Sequence, residues 1–176
     1  MKIGIVSDTH RNIEYLRTVT DYLVNRQKVV ALYHLGDDYD DVKELGEQYL
    51  EIVQVPGIYD TRYKSGKLAA KDFETIQGLN VLLVHSFEKD VLGDDIVRSD
   101  IILYGHTHHY EMRLEDGRLY MNPGHLKGPM EKNMPPTFGL LTIMDREVIA
   151  TIYSIQFKPV QTLELLRSEG GLYKAT

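Results

Sequence analysis

The chain runs repeatedly from a short apolar stretch straight into a polar turn that carries Asp or His. Residues 3–6 lead into Ser7-Asp8-Thr9-His10, and residues 29–35 into Gly36-Asp37-Asp38-Tyr39-Asp40-Asp41. Residues 81–84 end in His85, and residues 101–104 in Gly105-His106-Thr107-His108. Apolar runs this short and this continuous fit strands buried on both faces. Between them the period changes to helical. Asn12 is placed to cap a helix carrying Ile13, Leu16, Val19 or Thr20, and Leu23 up to about Gln27, and Val42, Leu45, Tyr49 and Leu50 suggest a second helix. A strand at 52–55 follows, closed by Pro56-Gly57. Strands alternating with helices specify an α/β fold with a mainly parallel sheet, and functional groups then collect beyond the carboxyl ends of the strands.

Further along, 61–67 reads as a polar loop, 68–75 as a strand, Gly78-Leu79-Asn80 as a turn and 91–97 as a short helix. The pattern then becomes antiparallel. Asp116-Gly117 between 111–114 and 119–121 is a strong hairpin signal. A Gly-, Pro- and Met-rich segment at 122–136 leads to a second hairpin, 138–144 and 148–155, turning near Asp145-Arg146. Val160, Leu163, Leu165 and Leu166 read as a strand or a short helix. The expectation is one domain over residues 1–176, with two sheets and helices outside.

Charge and composition narrow the function. A net charge of -6 and no Lys/Arg block give no footprint for a stable nucleic-acid complex. There is no cysteine, so disulfides, thiolate ligands and cysteine nucleophiles are excluded. The apolar run before Asp8 is too short for a signal-peptide core and no run approaches the length of a membrane span, which places the expected location in the cytoplasm. No Gly-x-x-x-x-Gly-Lys-[Ser/Thr] loop is present. Expected partners are a small phosphorylated substrate and a second copy of the chain.

His106 and His108 stand at i and i+2 behind a strand, where alternation of the pleat would turn both to one side. With Asp8, His10, Asp37, the turn at 57–60 and His85, they make a set of carboxylates and imidazoles without thiolate. Such a set suits Mn²⁺, Fe, Zn²⁺ or Ni²⁺ better than an all-oxygen Ca²⁺ or Mg²⁺ cage.

The order Asp8-x-His10, Gly36-Asp37-x-x-Asp40, a Gly57 turn, His85 and Gly105-His106-x-His108 resembles the calcineurin-like metallophosphoesterase superfamily. Asn122-Pro123-Gly124 makes the chain most similar to the small bacterial and archaeal phosphodiesterase branch, which includes the retromer subunit of the same fold. The resemblance covers nearly the whole chain and implies a four-layer αββα sandwich, two mixed sheets flanked by helices, with a dinuclear site at one end. Carried over, Asp8, His10, Asp37 and His108 would hold one metal, and Asp37 would bridge to a second held also by His85 and His106. Mn is the first expectation, with Ni, Zn or Fe as alternatives. The implied activity is phosphoester hydrolysis, a phosphodiester before a monoester, with His85, Asp37 and Tyr59 as catalytic residues.

One position departs from the family. Its third motif is Gly-Asn, whereas this chain reads Gly57-Ile58-Tyr59-Asp60, and isoleucine cannot ligate a metal. The second site is therefore expected to be weak, with water, Asp60 or Asp38 filling the gap, slow turnover, or catalysis lost and the domain kept as a protein-binding scaffold. Tyr59 stands where a proton donor is expected. Arg11 and Arg62 are candidates for binding substrate phosphate, and Asp40 and Asn122 for orienting the ligands by hydrogen bonds. Tyr39 and Tyr59 are candidates to line the pocket. His34 is expected to pack near a sheet end and His109 to lie in a strand; neither they nor His125 are assigned as ligands. The segment at 129–136 reads as a flap or an oligomer contact.

Overall fold

Apolar side chains at consecutive positions leave these segments no wet face, and the computed structural model, which describes residues 1–46 and 50–174, shows them as strands covered on both sides. In chain order the first strands are β1 (Lys2–Val6), β2 (Ala31–His34), β3 (Glu51–Gln54), β4 (Lys71–Ile76), β5 (Leu79–Val84) and β6 (Ile101–Leu103). They are followed by β7 (Glu111–Glu115), β8 (Arg118–Asn122), β9 (Thr137–Ile143), β10 (Glu147–Ser154), β11 (Pro159–Ser168) and β12 (Gly171–Lys174). The helices are α1 (Ile13–Tyr22), continued by a π-helical turn at Leu23–Gln27, α2 (Thr61–Lys64), α3 (Phe87–Asp90) and α4 (Gly93–Arg98), with a 3₁₀ helix at Tyr39–Leu45.

The strands form two mixed sheets, in the orders β12-β11-β10-β9-β1-β2-β3 and β4-β5-β6-β8-β7. β1, β2 and β3 run parallel, as do β5, β6 and β8, and the remaining pairs are antiparallel. Alternation then sorts side chains into layers. Ile3, Ile5, Tyr33, Leu35 and Leu141 pack in one cluster with Val81, Leu83, Ile101, Leu103 and Met121 of the other sheet, and this cluster is the central core. The opposite face of the first sheet, through Leu32, Phe138 and Leu140, packs under Leu16, Val19 and Leu23. The opposite face of the second, through Leu82, Val84, Ile102 and Tyr120, packs under Phe87, Val91 and Ile96. The result is the expected αββα order.

Several local expectations change. The second helix is a 3₁₀ helix over Tyr39–Leu45, because Val42 and Leu45 at i, i+3 lie on one face of that tighter helix equally well. Tyr49, counted in the longer helix, lies outside the described residues. The polar stretch after Asp60 contains α2, whose N-cap carboxylate accepts the Arg62 backbone N–H at 2.7 Å. The strand expected from residue 68 begins at Lys71, and the carboxyl-terminal segment is strand throughout its apolar positions. His109 is exposed and precedes β7 instead of lying in it. At the Asp116-Gly117 turn the φ angles are 48° and 74°, the two left-handed residues that a type I′ hairpin demands.

Phe138 is fully buried, with the rings of Tyr22, Tyr153 and Phe157 at centroid distances of 5.9, 5.6 and 6.3 Å. Truncation there removes the centre of the layer between α1 and the sheet. Phe138→Ala is expected to lower the unfolding free energy by about 3–5 kcal/mol in urea titration, with little change in the denaturant slope.

Candidate metal centre

The turns after β1, β2 and β6 meet at one edge of the sandwich. Asp8, His10, Asp37 and His108 each bring one donor atom there, and these atoms lie within 4.8 Å of one another. His10 Nε2 stands 3.1 Å from His108 Nε2 and 3.4 Å from Asp37 Oδ2, and His108 Nε2 stands 3.2 Å from Asp8 Oδ1. The two oxygens of Asp8 have separate tasks. Oδ2 accepts the Ser7 hydroxyl at 2.5 Å and the His106 N–H at 3.0 Å, whereas Oδ1 is buried with no hydrogen-bond partner. Burial pushes the Asp8 pKa up, but the contact with His108 and the Ser7 hydroxyl outweigh it, so the carboxyl is held below its ordinary range.

His85 shows the same division. Its Nδ1 lies 2.7 Å from the Leu35 carbonyl, an acceptor only, so Nδ1 carries the proton. Nε2 is then a bare lone pair, fully buried and without a hydrogen bond, at 3.3 Å from Asp37 Oδ1. A lone pair facing a carboxylate is unfavourable unless a proton or a cation stands between them. Buried acceptors aimed at one another are what a divalent cation would satisfy, and the residues fit it.

The loops hold conformations that side chains seldom adopt. Asp8, His10, Asp37 and His108 have φ angles of 52°, 47°, 29° and 65°, all left-handed. Asp and His are among the residues that tolerate this region, at a cost of about 1–3 kcal/mol each. Two glycines make the close approaches possible. A Cβ at Gly57 would stand 1.9 Å from Asp37 Oδ1, and one at Gly105 would stand 2.0 Å from Ser7 Oγ and 2.8 Å from Asp8 Oδ2.

A buried polar chain beneath the site was not read from the sequence. The Gly36 N–H donates to His34 Nδ1 at 3.3 Å, so His34 Nε2 carries the proton and faces Thr9 Oγ1 at 3.2 Å. The Thr9 hydroxyl donates to Asp41 Oδ2 at 2.6 Å, and the Arg11 N–H donates to the same oxygen at 2.9 Å. This chain ties the His10 turn to the Asp37 turn.

The structure redistributes other expected roles. Asn122 does orient the histidine loop, donating to Gly105 O at 2.9 Å and Thr107 Oγ1 at 3.0 Å. Asp40 does not orient a histidine: it is exposed and binds Lys43 and Arg62 at 3.0 and 3.1 Å, while its neighbour Asp41 is the buried carboxylate that supports the turn. Arg62 is not free for phosphate, because Asp60 grips it through Nε at 3.0 Å and Nη2 at 2.6 Å, and it stacks on Tyr39 at 4.8 Å. Arg11, with 84% of its side chain exposed, reaches Asp38 through its guanidinium at 3.3 Å and no other carboxylate among the described residues. Tyr59 is exposed and lines a cavity of about 270 Å³ with His10, Asp37, Asp38, Gly57 and Asp60. His106 packs edge-on to His85, centroids 5.1 Å apart, and among the described residues these two join no group with donors as close as those around His10. The pleat does not place His106 and His108: β6 ends at Leu103, and both histidines reach the site through left-handed turns, with φ of 71° and 65°. Each therefore faces a different partner, His106 towards His85 and His108 towards His10.

Complete burial is the main cause that pushes the His34 pKa down from 6.5 to about 4. An unfolded chain binds a proton at this residue near pH 6.5 and the folded chain only near pH 4, so the stabilisation is complete above pH 6.5 and is lost as pH falls through that window. Urea titrations of chelator-treated protein are expected to show a loss on the order of 3 kcal/mol across it that is missing in His34→Asn.

Comparison with known proteins agrees with this geometry. Residues 1–146 match the model of the calcineurin-like phosphoesterase superfamily domain. The phosphodiesterase MJ0936 of Methanocaldococcus jannaschii is 28% identical over 162 residues, covering 84% of this chain and 96% of that protein. A predicted phosphoesterase of Streptococcus pneumoniae superposes with a TM-score of 0.70 at 20% identity, covering 94% of this chain and 97% of the other. Vps29 of Entamoeba histolytica in complex with Zn²⁺ superposes with a TM-score of 0.63 at 20% identity, covering 94% and 99%. With most of its length matched to the family model and its donors at the strand ends, this chain belongs to the calcineurin-like phosphoesterase superfamily.

Proposed function

We propose that the chain is a metal-dependent phosphoesterase that acts on phosphodiesters. The observation that carries the reading is the convergence of Asp8, His10, Asp37 and His108 with buried acceptors, Asp8 Oδ1 and His85 Nε2, left without hydrogen bonds. Family membership and the phosphodiesterase of Methanocaldococcus jannaschii support it.

In this reading Asp8, His10, Asp37 and His108 hold one divalent cation, and Asp37, His85 and His106 hold a second more loosely, with Mn²⁺ first among the candidates and Ni²⁺, Zn²⁺ or Fe as alternatives. Bound there, the ions would lower the pKa of water and neutralise phosphoryl oxygens. The chain's own groups do the rest. His85, donating its Nδ1 proton to the Leu35 carbonyl, keeps Nε2 turned towards Asp37, and Asp37 spans the two positions. Tyr59 lines the open cavity and gives its hydroxyl proton to the leaving oxygen. Arg11 receives the free phosphoryl oxygens, since Arg62 is committed to Asp60 and Asp40. Among the described residues no helix is long and apolar enough to cross a membrane, and the reading places the protein in the cytoplasm.

A second reading rests on Ile58 and on the likeness to Vps29: a metal-binding scaffold with little or no turnover. Hydrolysis of a chromogenic phosphodiester by chelator-stripped protein with Mn²⁺ added back separates the two. Metal-dependent turnover that falls to background in Asp37→Asn is the expected result; no turnover with Mn²⁺, Ni²⁺, Zn²⁺ or Fe²⁺ in folded protein would favour the scaffold. Ile58→Asn is expected to tighten the weaker metal equivalent about tenfold, or about 1.4 kcal/mol, in calorimetric titration, and an unchanged isotherm would displace Ile58 from the second position.

A further inference from the structure

Beyond the donors themselves, the segment after Asn122 folds over the histidine loop. Leu126 N–H lies 3.2 Å from the carbonyls of both Ser7 and Asp8. Glu131 and Met134 exchange backbone hydrogen bonds at 3.0 and 2.8 Å across Lys132 and Asn133, both left-handed, so the segment ends in a tight turn. Lys132 Nζ donates to Thr107 O at 3.3 Å, and His125 Nε2 donates to Met134 O at 3.0 Å.

This turn carries a carboxylate to the back of a proposed ligand. His108 offers Nε2 to the site, so its proton belongs on Nδ1, and Nδ1 is buried with no hydrogen-bond partner. Glu131 Oε1 faces that nitrogen at 3.7 Å, about 0.8 Å beyond the usual separation of ~2.9 Å, while Lys127 holds the other carboxylate oxygen at 3.1 Å. The remaining acceptor nearby is neutral: His125, whose ring lies 5.5 Å from that of His108 and whose Nδ1 is also unpartnered. A carboxylate is the stronger acceptor, and a cation on Nε2 makes the Nδ1 proton more acidic.

We infer that Glu131 is a positioning residue of the metal centre: it accepts the Nδ1–H of His108, and the turn at 131–134 moves onto the histidine loop when the ligand set is occupied. The inference rests on the reading of His108 as a ligand. It gives the Met- and Pro-rich segment a task, setting the orientation and basicity of one imidazole.

The test is calorimetric titration of the metal-stripped full chain with MnCl₂, together with nitrogen-15 NMR of the histidine side chains in the Zn²⁺-loaded protein. Glu131→Gln is expected to weaken Mn²⁺ binding roughly 10- to 100-fold, with the melting temperature of the metal-free protein unchanged and part of the affinity restored in Glu131→Asp. The His108 Nδ1–H resonance, identified by its loss in His108→Ala, is expected to shift upfield in Glu131→Gln. An unchanged isotherm and resonance in Glu131→Gln, beside lost binding in His108→Ala, would overturn the role of Glu131 and leave the ligand assignment standing. Wild-type Mn²⁺ binding in His108→Ala would overturn both.

Discussion

Electron pairs brought together with little water between them are the constraint around which this fold is arranged. Asp8 is fully buried, and His108 and Asp37 are exposed by only 6% and 8%, yet their donor atoms and that of His10 share a space less than 5 Å across. Two carboxylates at that separation repel one another in a medium of low dielectric, and an imidazole lone pair facing either of them adds to the repulsion unless a proton or a cation stands between. Each donor residue also sits in left-handed backbone, at about 1–3 kcal/mol apiece. Costs of that size are a large share of the net stability of an ordinary domain, about 5–15 kcal/mol. They persist because apolar burial in three layers fixes the strand ends from which the donors project.

What keeps the turns in place is mutual contact more than local propensity. Gly57 leaves room for the Asp37 carboxylate and Gly105 for Ser7 and Asp8, so each turn is shaped by a side chain from another strand. The polar chain from Gly36 through His34 and Thr9 to Asp41 binds the first two turns, and Asn122 binds the third. A change in one turn is therefore felt in the others. The site is also lopsided. Among the described residues four donors gather around His10, whereas His85 and His106 meet edge-on without a third donor as close, and on the proposed reading Ile58, which has no lone pair, adds none.

Much of this was legible before any coordinates, and the limits have physical causes. Runs of apolar residues revealed the strands because a strand buried on both faces has no other composition, and Asp116-Gly117 revealed its hairpin because few dipeptides adopt two left-handed conformations. The donor set was visible because Asp and His recur behind several of these runs at once, although any one of them alone reads as an ordinary cap or turn residue. The insertion of β9 between β1 and β10 was not, since pairing Ile3 with Leu141 depends on contacts across most of the chain. Asp40 stood out because it falls at the trailing carboxylate of the Gly36-Asp37-x-x-Asp40 pattern, and no periodic signal tells which of two adjacent aspartates a 3₁₀ helix turns inward. The commitment of Arg62 escaped for a similar reason: Asp60 two residues earlier reads as the end of a turn before a polar loop, and only the folded chain shows it capping α2 and gripping the guanidinium.

Charge then joins the site to its proposed substrate. Asp38, Asp40, Asp41 and Asp60 line one opening beside Arg11 and Arg62, and the exposed guanidinium of Arg11 already leans on Asp38. With Arg62 held by two carboxylates, the protein's own groups leave this edge negative, in a chain whose net charge is -6. A phosphodiester approaching such an edge meets repulsion, not steering. Cations held by the Asp and His donors would reverse the sign beside the donor group, over a distance of a few ångströms, inside the range where salt screens little. On the proposed reading, affinity for substrate and capacity for chemistry therefore both depend on occupancy of the donor group, since a bound cation would have to offset the carboxylates of the neighbouring opening as well as those of Asp8 and Asp37.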